Sequence, residues 1–378
     1  MNSDELAKKL HKELKGKITI SLRDSGELTP EKLAAYYTPG VGAISRLIAE
    51  DPAKLPIYTW TNNLVAVISD GSSVLGLGDI GPKAAMPVME GKAMLFKHFA
   101  GIDSVPIILN AHTADEIISA VEAIAPSFGA INLEDIAAPV CFEVEAWLKQ
   151  SLEIPVMHDD QHGTATVVLA GLINAMKLTK RKFESSKIVI LGAGAAGVAI
   201  AKLLELYARP HVLAVDSKGI ISASRTDLNE SKKLLLAHTN PDNLGGSLAD
   251  GVAGADVIIG VSRAGLITPE MVRSMHKYPI IFALANPTPE IMPDLAISAG
   301  AAVVATGRSD FPNQVNNALA FPGIFRGALD HKVRQITDKH KLDAAIAIAD
   351  LIAKPDATHI IPSVFDERLV PAVSAVIT

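Results

Sequence analysis

A single cysteine, Cys141, in a chain of 378 residues leaves no partner for an internal disulfide. The N-terminal stretch MNSDELAKKLHKELKGK is charged and amphipathic and contains no apolar signal core, so the cytoplasm is the expected compartment. Apolar stretches are cut by charged residues well before the roughly 20 residues a membrane span requires, as Lys202 and Glu205 cut the one after Gly197, so no span is expected. Dense basic runs are missing beyond Lys180-Arg181-Lys182, and the formal net charge is −6, so no nucleic acid is expected as a partner. Aromatic residues are scarce, at 4%, against 49% hydrophobic residues overall. That balance, rich in Ala, Ile, Leu and Val, is typical of parallel sheets covered by helices.

What is present is a regular alternation. From Leu64 onward short apolar runs alternate with amphipathic or small-residue segments, the pattern of parallel strands joined by helical crossovers. The expected fold class is α/β, and at about 150 residues per domain the length fits two or three domains. Strands are predicted at Val65–Ser69, Val105–Leu109, Ala130–Leu133 and Pro155–His158, followed respectively by Asp70, by Asn110, by Glu134 with Asp135, and by Asp159 with Asp160. Ligands of open α/β sheets bind beyond the carboxyl ends of the strands, so these polar groups can share one crevice. A nearly uncharged helix over Thr164–Met176 marks the domain boundary. Further strands are predicted at Lys187–Leu191, His211–Val215, Val257–Gly260, Ile280–Ala285 and Ala301–Ala305, and an apolar helix over Leu342–Ala353 is expected to pack against the first domain or a second subunit.

The segment KIVILGAGAAGVAIAKLLELYA reads as strand, glycine turn and helix. Gly192 permits the tight turn, Gly194 admits a pyrophosphate close to the backbone, and Gly197 allows close helix–strand contact, with Ala195 and Ala196 opening the helix whose N–H groups face the phosphates. Asp216 ends the next strand, where a carboxylate is expected to hold the adenosine ribose hydroxyls. Strand, turn, helix and acid together point to a Rossmann-type site for a dinucleotide, NAD in preference to NADP, although Lys218 is placed to partner a 2′-phosphate.

Glu134, Asp135 and Asp160 offer hard oxygen ligands suited to Mg²⁺ or Mn²⁺, although any one of them alone reads as a helix cap. Lys92 and Lys97 in MPVMEGKAMLFKHFAG are both candidates for a general base, and Tyr36 and Tyr37 in AAYYTPGVG for a general acid.

These motifs, taken in order, resemble the malic enzyme family in its short bacterial form. The resemblance rests on Tyr37-Thr-Pro-Gly-Val-Gly42, Ser69-Asp-Gly-Ser-Ser-Val-Leu-Gly-Leu-Gly-Asp79, Pro87-Val-Met-Glu-Gly-Lys92, Asn132-Leu-Glu-Asp135, His158-Asp-Asp-Gln-His-Gly-Thr164, Ala283-Leu-Ala-Asn-Pro287 and Asn316-Asn317. It implies an N-terminal substrate and metal domain over residues 1–161, a NAD-binding domain over 162–317 and a C-terminal helical segment over 318–378 that packs back. It further implies Lys92 as base, Tyr37 as acid, Asp159 as the partner that tunes the lysine, and Glu134, Asp135 and Asp160 as metal ligands. Asn286 and Asn317 would meet the substrate and the nicotinamide half of the cofactor. Where longer relatives carry an arginine for a substrate carboxylate this chain has Ser72 and Ser73, which leaves Lys83 and Arg308 as candidate cations.

The implied reaction is oxidative decarboxylation of L-malate to pyruvate and CO₂ by a homodimer, with Tyr37 acting in its own site or its neighbour's. A malolactic-type lyase and a non-catalytic dinucleotide-binding regulator are the alternatives.

Overall fold

The computed structural model describes residues 3–378, the side chain of Ser3 excepted. Two sheets carry the architecture. The first contains β1 (Leu64–Ser69), β2 (Asp103–Ile108), β3 (Ala130–Leu133) and β4 (Val156–His158) in the order β2-β1-β3-β4, all parallel. The second contains β5 (Lys187–Leu191), β6 (His211–Asp216), β7 (Gly219–Ile220), β8 (Val257–Gly260), β9 (Ile280–Ala283) and β10 (Val303–Thr306) in the order β10-β9-β8-β5-β6-β7. Only β7 runs antiparallel, as a short hairpin return on β6. Every residue of β1, β3, β8 and β9 is buried, which is why these strands read as continuous apolar runs rather than alternating ones.

Strand order changes direction twice, and both changes position the site. β1 lies between β2 and β3, and β5 between β6 and β8. At such points the loops leaving adjacent strands diverge and open a crevice. The crevice of the first sheet lies beyond Ser69 and Leu133; that of the second lies beyond Leu191, at the glycine turn.

The helix predicted over Thr164–Met176 runs from Asp159 to Thr179. Asp159 and Asp160, expected just beyond a strand end, form its first turn, where their charges favour the helix dipole. This helix is buried along most of its length, and its apolar residues join one core cluster with Val65, Met89 and Phe96 of the first half and Ile188, Ile190 and Phe282 of the second. The proposed boundary helix is therefore a shared spine. The tail helix likewise starts earlier than predicted, at Asp338, because Thr337 and His340 close a capping box ahead of the apolar stretch. No described helix is long and apolar enough to cross a membrane.

Candidate active site

Glu134 and Asp135 follow β3 directly, and both are buried. Asp135 adopts a left-handed backbone at φ 54, a conformation that Asp tolerates better than most residues. Its N–H donates to Asp160 Oδ2 at 2.8 Å, while its carbonyl accepts the Ser73 N–H at 2.9 Å. One carboxylate oxygen each from Glu134, Asp135 and Asp160 lies within 4.8 Å of the other two.

The electrostatics of this cluster are unfavourable as it stands. Burial, reinforced by the Asp160 charge, pushes the Asp135 carboxyl up to about 8, and Asp135 Oδ2 is buried without a hydrogen-bond partner. Burial also drives Glu134 well above the usual carboxylate range, with Lys92 pulling against it and the neighbouring acids adding to it. Converging buried oxygens that repel one another, one of them unpaired, fit a hard divalent cation. Asp70, at the tip of β1, does not join them: its carboxylate accepts the N–H and hydroxyl of Ser72.

The helix Pro82–Ala100 sets the two lysines in different surroundings. Lys92 lies on its inner face and is 6% exposed; Lys97, five residues on, faces solvent and pairs with Asp103 at 2.7 Å. Lys92 Nζ sits 2.5 Å from Asp159 Oδ2 and 2.8 Å from Glu134 Oε1, with the Phe321 ring centroid 4.2 Å away. Burial alone would lower the Lys92 ammonium, but the charges of Asp159 and Glu134 outweigh it and hold the group above its ordinary value. Burial raises Asp159 despite its lysine partner, and its second oxygen has no hydrogen bond.

Across the crevice, the glycine turn behaves as its spacing predicted. Gly192 has φ 130 and its N–H donates to the Val215 carbonyl at 2.9 Å, so the turn sits beside Asp216. A Cβ on Gly197 would collide with the Gly192 carbonyl, while one on Gly194 would meet open space at the start of the 14-residue helix Ala195–Ala208. Open space over exposed helix N–H groups fits a pyrophosphate. Ala195 also packs against the core of the first sheet, and a Cβ on Gly76 would strike the Asn286 carbonyl, so the two halves meet at this level. Asn317 lies beside Gly163, one turn along the helix from Asp159.

Two expected positions look different in the structure. Asp216 does end β6, but its carboxylate is not free: Arg225 and Lys232 occupy it. Tyr37 follows the short helix Pro30–Tyr36 and is 69% exposed, in a stretch, residues 4–60, without one buried residue. The other tyrosine, Tyr36, donates its hydroxyl to Asp24. Arg308 pairs with Asp310 and donates to the Pro287 carbonyl, next to Asn286.

Comparison with known proteins accords with this geometry. Residues 18–116 match the model described as "Malic enzyme, N-terminal domain" and residues 161–376 the one described as "Malic enzyme, NAD binding domain". The chain belongs to the malic enzyme family. It is 53% identical to the NAD-dependent malic enzyme of Geobacillus stearothermophilus over 96% of this chain and 74% of that protein. It is 52% identical to the bifunctional malic/malolactic enzyme of Bacillus subtilis over 99% of this chain and 92% of that one. The crystal structure of the NAD-dependent malic enzyme from Thermotoga maritima superposes with a TM-score of 0.95 at 50% identity, covering 98% of each chain. This malic enzyme carries the three-carboxylate cluster in its first half and the glycine turn in its second.

Sequence reasoning missed the supports. Phe321 floors the lysine, and its signal was the aromatic in ALAFPG at the end of the returning segment. Glu145, buried on the helix Val140–Ser151, accepts the His158 N–H at 3.1 Å and pairs with His162 Nε2 at 2.8 Å, which fixes the first turn carrying Asp159 and Asp160. Burial brings His162 down to about 4, so it is neutral at pH 7 and supplies one N–H to Glu145.

Proposed function

We propose that the chain catalyses the oxidative decarboxylation of L-malate to pyruvate and CO₂ with reduction of NAD or NADP, in a homodimer. The observation that carries the reading is the buried Lys92, held by Asp159 and Glu134 at the edge of the three-carboxylate cluster. In this reading residues 1–161 supply the acidic crevice and residues 162–317 the dinucleotide site.

Glu134, Asp135 and Asp160 would hold Mg²⁺ or Mn²⁺, and the glycine turn with Asn286 the dinucleotide. Bound there, the cation would supply Lewis-acid polarisation of the substrate and the nicotinamide would supply the acceptor for the C2 hydride. Lys92, in its amine form, takes the C2 hydroxyl proton as that hydride departs. Asp159, at hydrogen-bond distance, tunes the lysine: its charge favours the ammonium, which a cation bound beside it would oppose, so that the amine form would be reached with the metal in place. With a keto group at C2, the C3–C4 bond breaks, CO₂ leaves, and its electron pair forms the C2–C3 enol. Lys92 returns the proton to oxygen as the enol forms and removes it again as Tyr37 protonates C3, completing pyruvate. Asn317, beside the first turn of the Asp159–Thr179 helix, is suited to hold a substrate carboxylate.

The exposed apolar residues ahead of β1, among them Leu14, Ile20, Leu22, Leu33 and Tyr37, support a second copy as the surface that covers them. Tyr37 would then complete the neighbour's site. A malolactic-type reaction is the second reading, favoured by the 52% identity to a protein with both activities. Following reduced nucleotide, pyruvate and lactate together during malate turnover with Mn²⁺ tests both: stoichiometric reduced nucleotide and pyruvate support the first, lactate without net reduction the second, and no turnover of malate refutes both.

A further inference from the structure

Glu290 is fully buried, and its carboxylate lies between the carboxyl ends of two neighbouring strands. β8 and β9 pair in parallel as far as Gly260 and Ala283, and each chain then leaves the sheet as a loop. Glu290 Oε1 accepts the Ser262 N–H at 2.8 Å and Oε2 the Ala285 N–H at 3.0 Å, one from each departing loop. Its own backbone stitches the same region: the Glu290 carbonyl accepts the Ile267 N–H at 3.0 Å and the Pro289 carbonyl the Gly265 N–H at 3.2 Å. A Cβ on Gly260 would overlap the Glu290 carboxyl, so the last residue of β8 leaves the space that this side chain fills.

Two converging N–H donors decide what group can sit there. An ionised carboxylate accepts at both oxygens, whereas an amide turns its NH₂ toward one of the two donors. Burial raises the Glu290 carboxyl, and the backbone N–H groups of Ser262 and Ala285 draw it back down. The loops joined in this way border the dinucleotide turn on one side and the first domain on the other. A Cβ on Gly192 would come within 2.6 Å of the Val261 carbonyl, so the loop after β8 packs on the turn. The residue after Ala285 is Asn286, whose carbonyl a Cβ on Gly76 would strike and whose amide nitrogen a Cβ on Gly307 would approach to 2.6 Å. Ser262 and Asn286 are exposed, while the carboxylate that fixes their loops is not.

We propose that Glu290 is a positioning residue for hydride transfer: by holding the Ser262 and Ala285 N–H groups at one separation, it sets Asn286 and the nicotinamide half of the dinucleotide against the first-domain crevice. The inference rests on the dinucleotide reading above and adds to it a buried residue that acts only through the two loops it joins.

The test is Glu290→Gln in the intact enzyme, which keeps the size of the side chain and loses one acceptor. Single-turnover reduction of NAD or NADP by malate should slow about 10²-fold, while Mn²⁺-dependent decarboxylation of oxaloacetate without nucleotide, which needs no hydride acceptor, should stay within about threefold of the parent. Adenosine 5′-monophosphate, which carries only the adenine half, should bind parent and variant alike by calorimetry. Glu290→Asp retains the charge and both acceptors on a shorter stem; it should recover part of the hydride-transfer rate, and it decides the matter alone if Glu290→Gln does not fold. A role confined to folding would depress both partial reactions together, so equal losses overturn the proposal, as does a parental rate of hydride transfer or the failure of both variants to fold. If the parent neither binds NADH or NADPH by fluorescence nor reduces either nucleotide, the dinucleotide reading falls and this inference with it; if the parent does both and the split is missing, only the role of Glu290 falls.

Discussion

Lys92 and Asp159 form a buried ion pair at 2.5 Å, and Asp159 enters it from the first residue of a helix whose dipole also favours its charge. Neither group is accessible to solvent in any useful degree, so each depends on the other for its charge state. Lys92→Ala is therefore expected to do two things. It should abolish malate oxidation, and it should lower folding stability by about 3–5 kcal/mol, because Asp159 and Glu134 are left buried without a counter-charge. Urea unfolding beside a nucleotide-reduction assay checks both. A variant that is inactive yet as stable as the parent would mean the pair is looser than 2.5 Å and 2.8 Å indicate.

Tyr37 yields a prediction about division of labour. If its phenol delivers the C3 proton, Tyr37→Phe should slow oxaloacetate decarboxylation and enol protonation by roughly two orders of magnitude or more while reduction of a keto acid falls far less. If it does so across a dimer, mixing Tyr37→Phe with Lys92→Ala subunits should restore about a quarter of parental activity, since half the dimers are mixed and each has one intact site. Equal loss in both partial reactions would remove Tyr37 from the acid role; no recovery on mixing would keep it within its own subunit.

The acidic cluster makes stability depend on pH in an unusual direction. Asp135 is held at about 8 in the folded chain, against about 3.9 when unfolded. Between those values the folded state carries the extra proton, so raising the pH removes stability: the contribution is full below about pH 4 and gone above about pH 8. Metal-free protein should accordingly show a falling melting temperature as pH rises across that range. Mn²⁺ should raise the melting temperature most at the alkaline end, where the carboxylates are ionised and mutually repelling. Asp135→Asn should flatten the metal-free profile and lose most of the Mn²⁺ response. A metal-free protein whose stability rises with pH through this window would contradict the crowding of the three acids.

Much of this was legible in the residues, for identifiable reasons. Fully buried parallel strands announce themselves as apolar runs, and the four acids that matter follow directly on strand ends, so β3, β4, Glu134, Asp135, Asp159 and Asp160 could be named from spacing. Lys92 could not be told from Lys97 without the phase of the helix, which depends on where it starts, at Pro82. Arg225 and Lys232 were invisible for a different reason. They reach Asp216 from nine and sixteen residues away through a two-residue hairpin strand too short to leave a hydrophobic signature. Phe321 meets Lys92 across more than two hundred residues of chain, a contact set by packing of the whole core rather than by any local pattern.

The meeting of the two halves can be tested at a single atom. Gly76 lies in the loop SDGSSVLGLGD with no positive-φ constraint, so alanine costs it nothing in backbone strain. A Cβ there would nevertheless run into the Asn286 carbonyl, which belongs to the dinucleotide half, and backbone cannot swing aside as a long side chain would. Gly76→Ala must then displace either its own loop or the Asn286 segment. The loop is anchored by Ser73 on Asp135 and by Ser72, whose hydroxyl accepts the Ala137 N–H, so displacement would reach the acidic cluster as well as the nicotinamide side. We expect kcat to fall by about 10²-fold, in line with an ångström-scale misplacement of reacting groups, with melting temperature changed by a few degrees at most. Gly245→Ala, at a position where an added Cβ meets nothing within 4 Å, is the control and should leave turnover unchanged. Parental kcat in Gly76→Ala would mean that the crevice is wider during turnover than the contact with Asn286 allows.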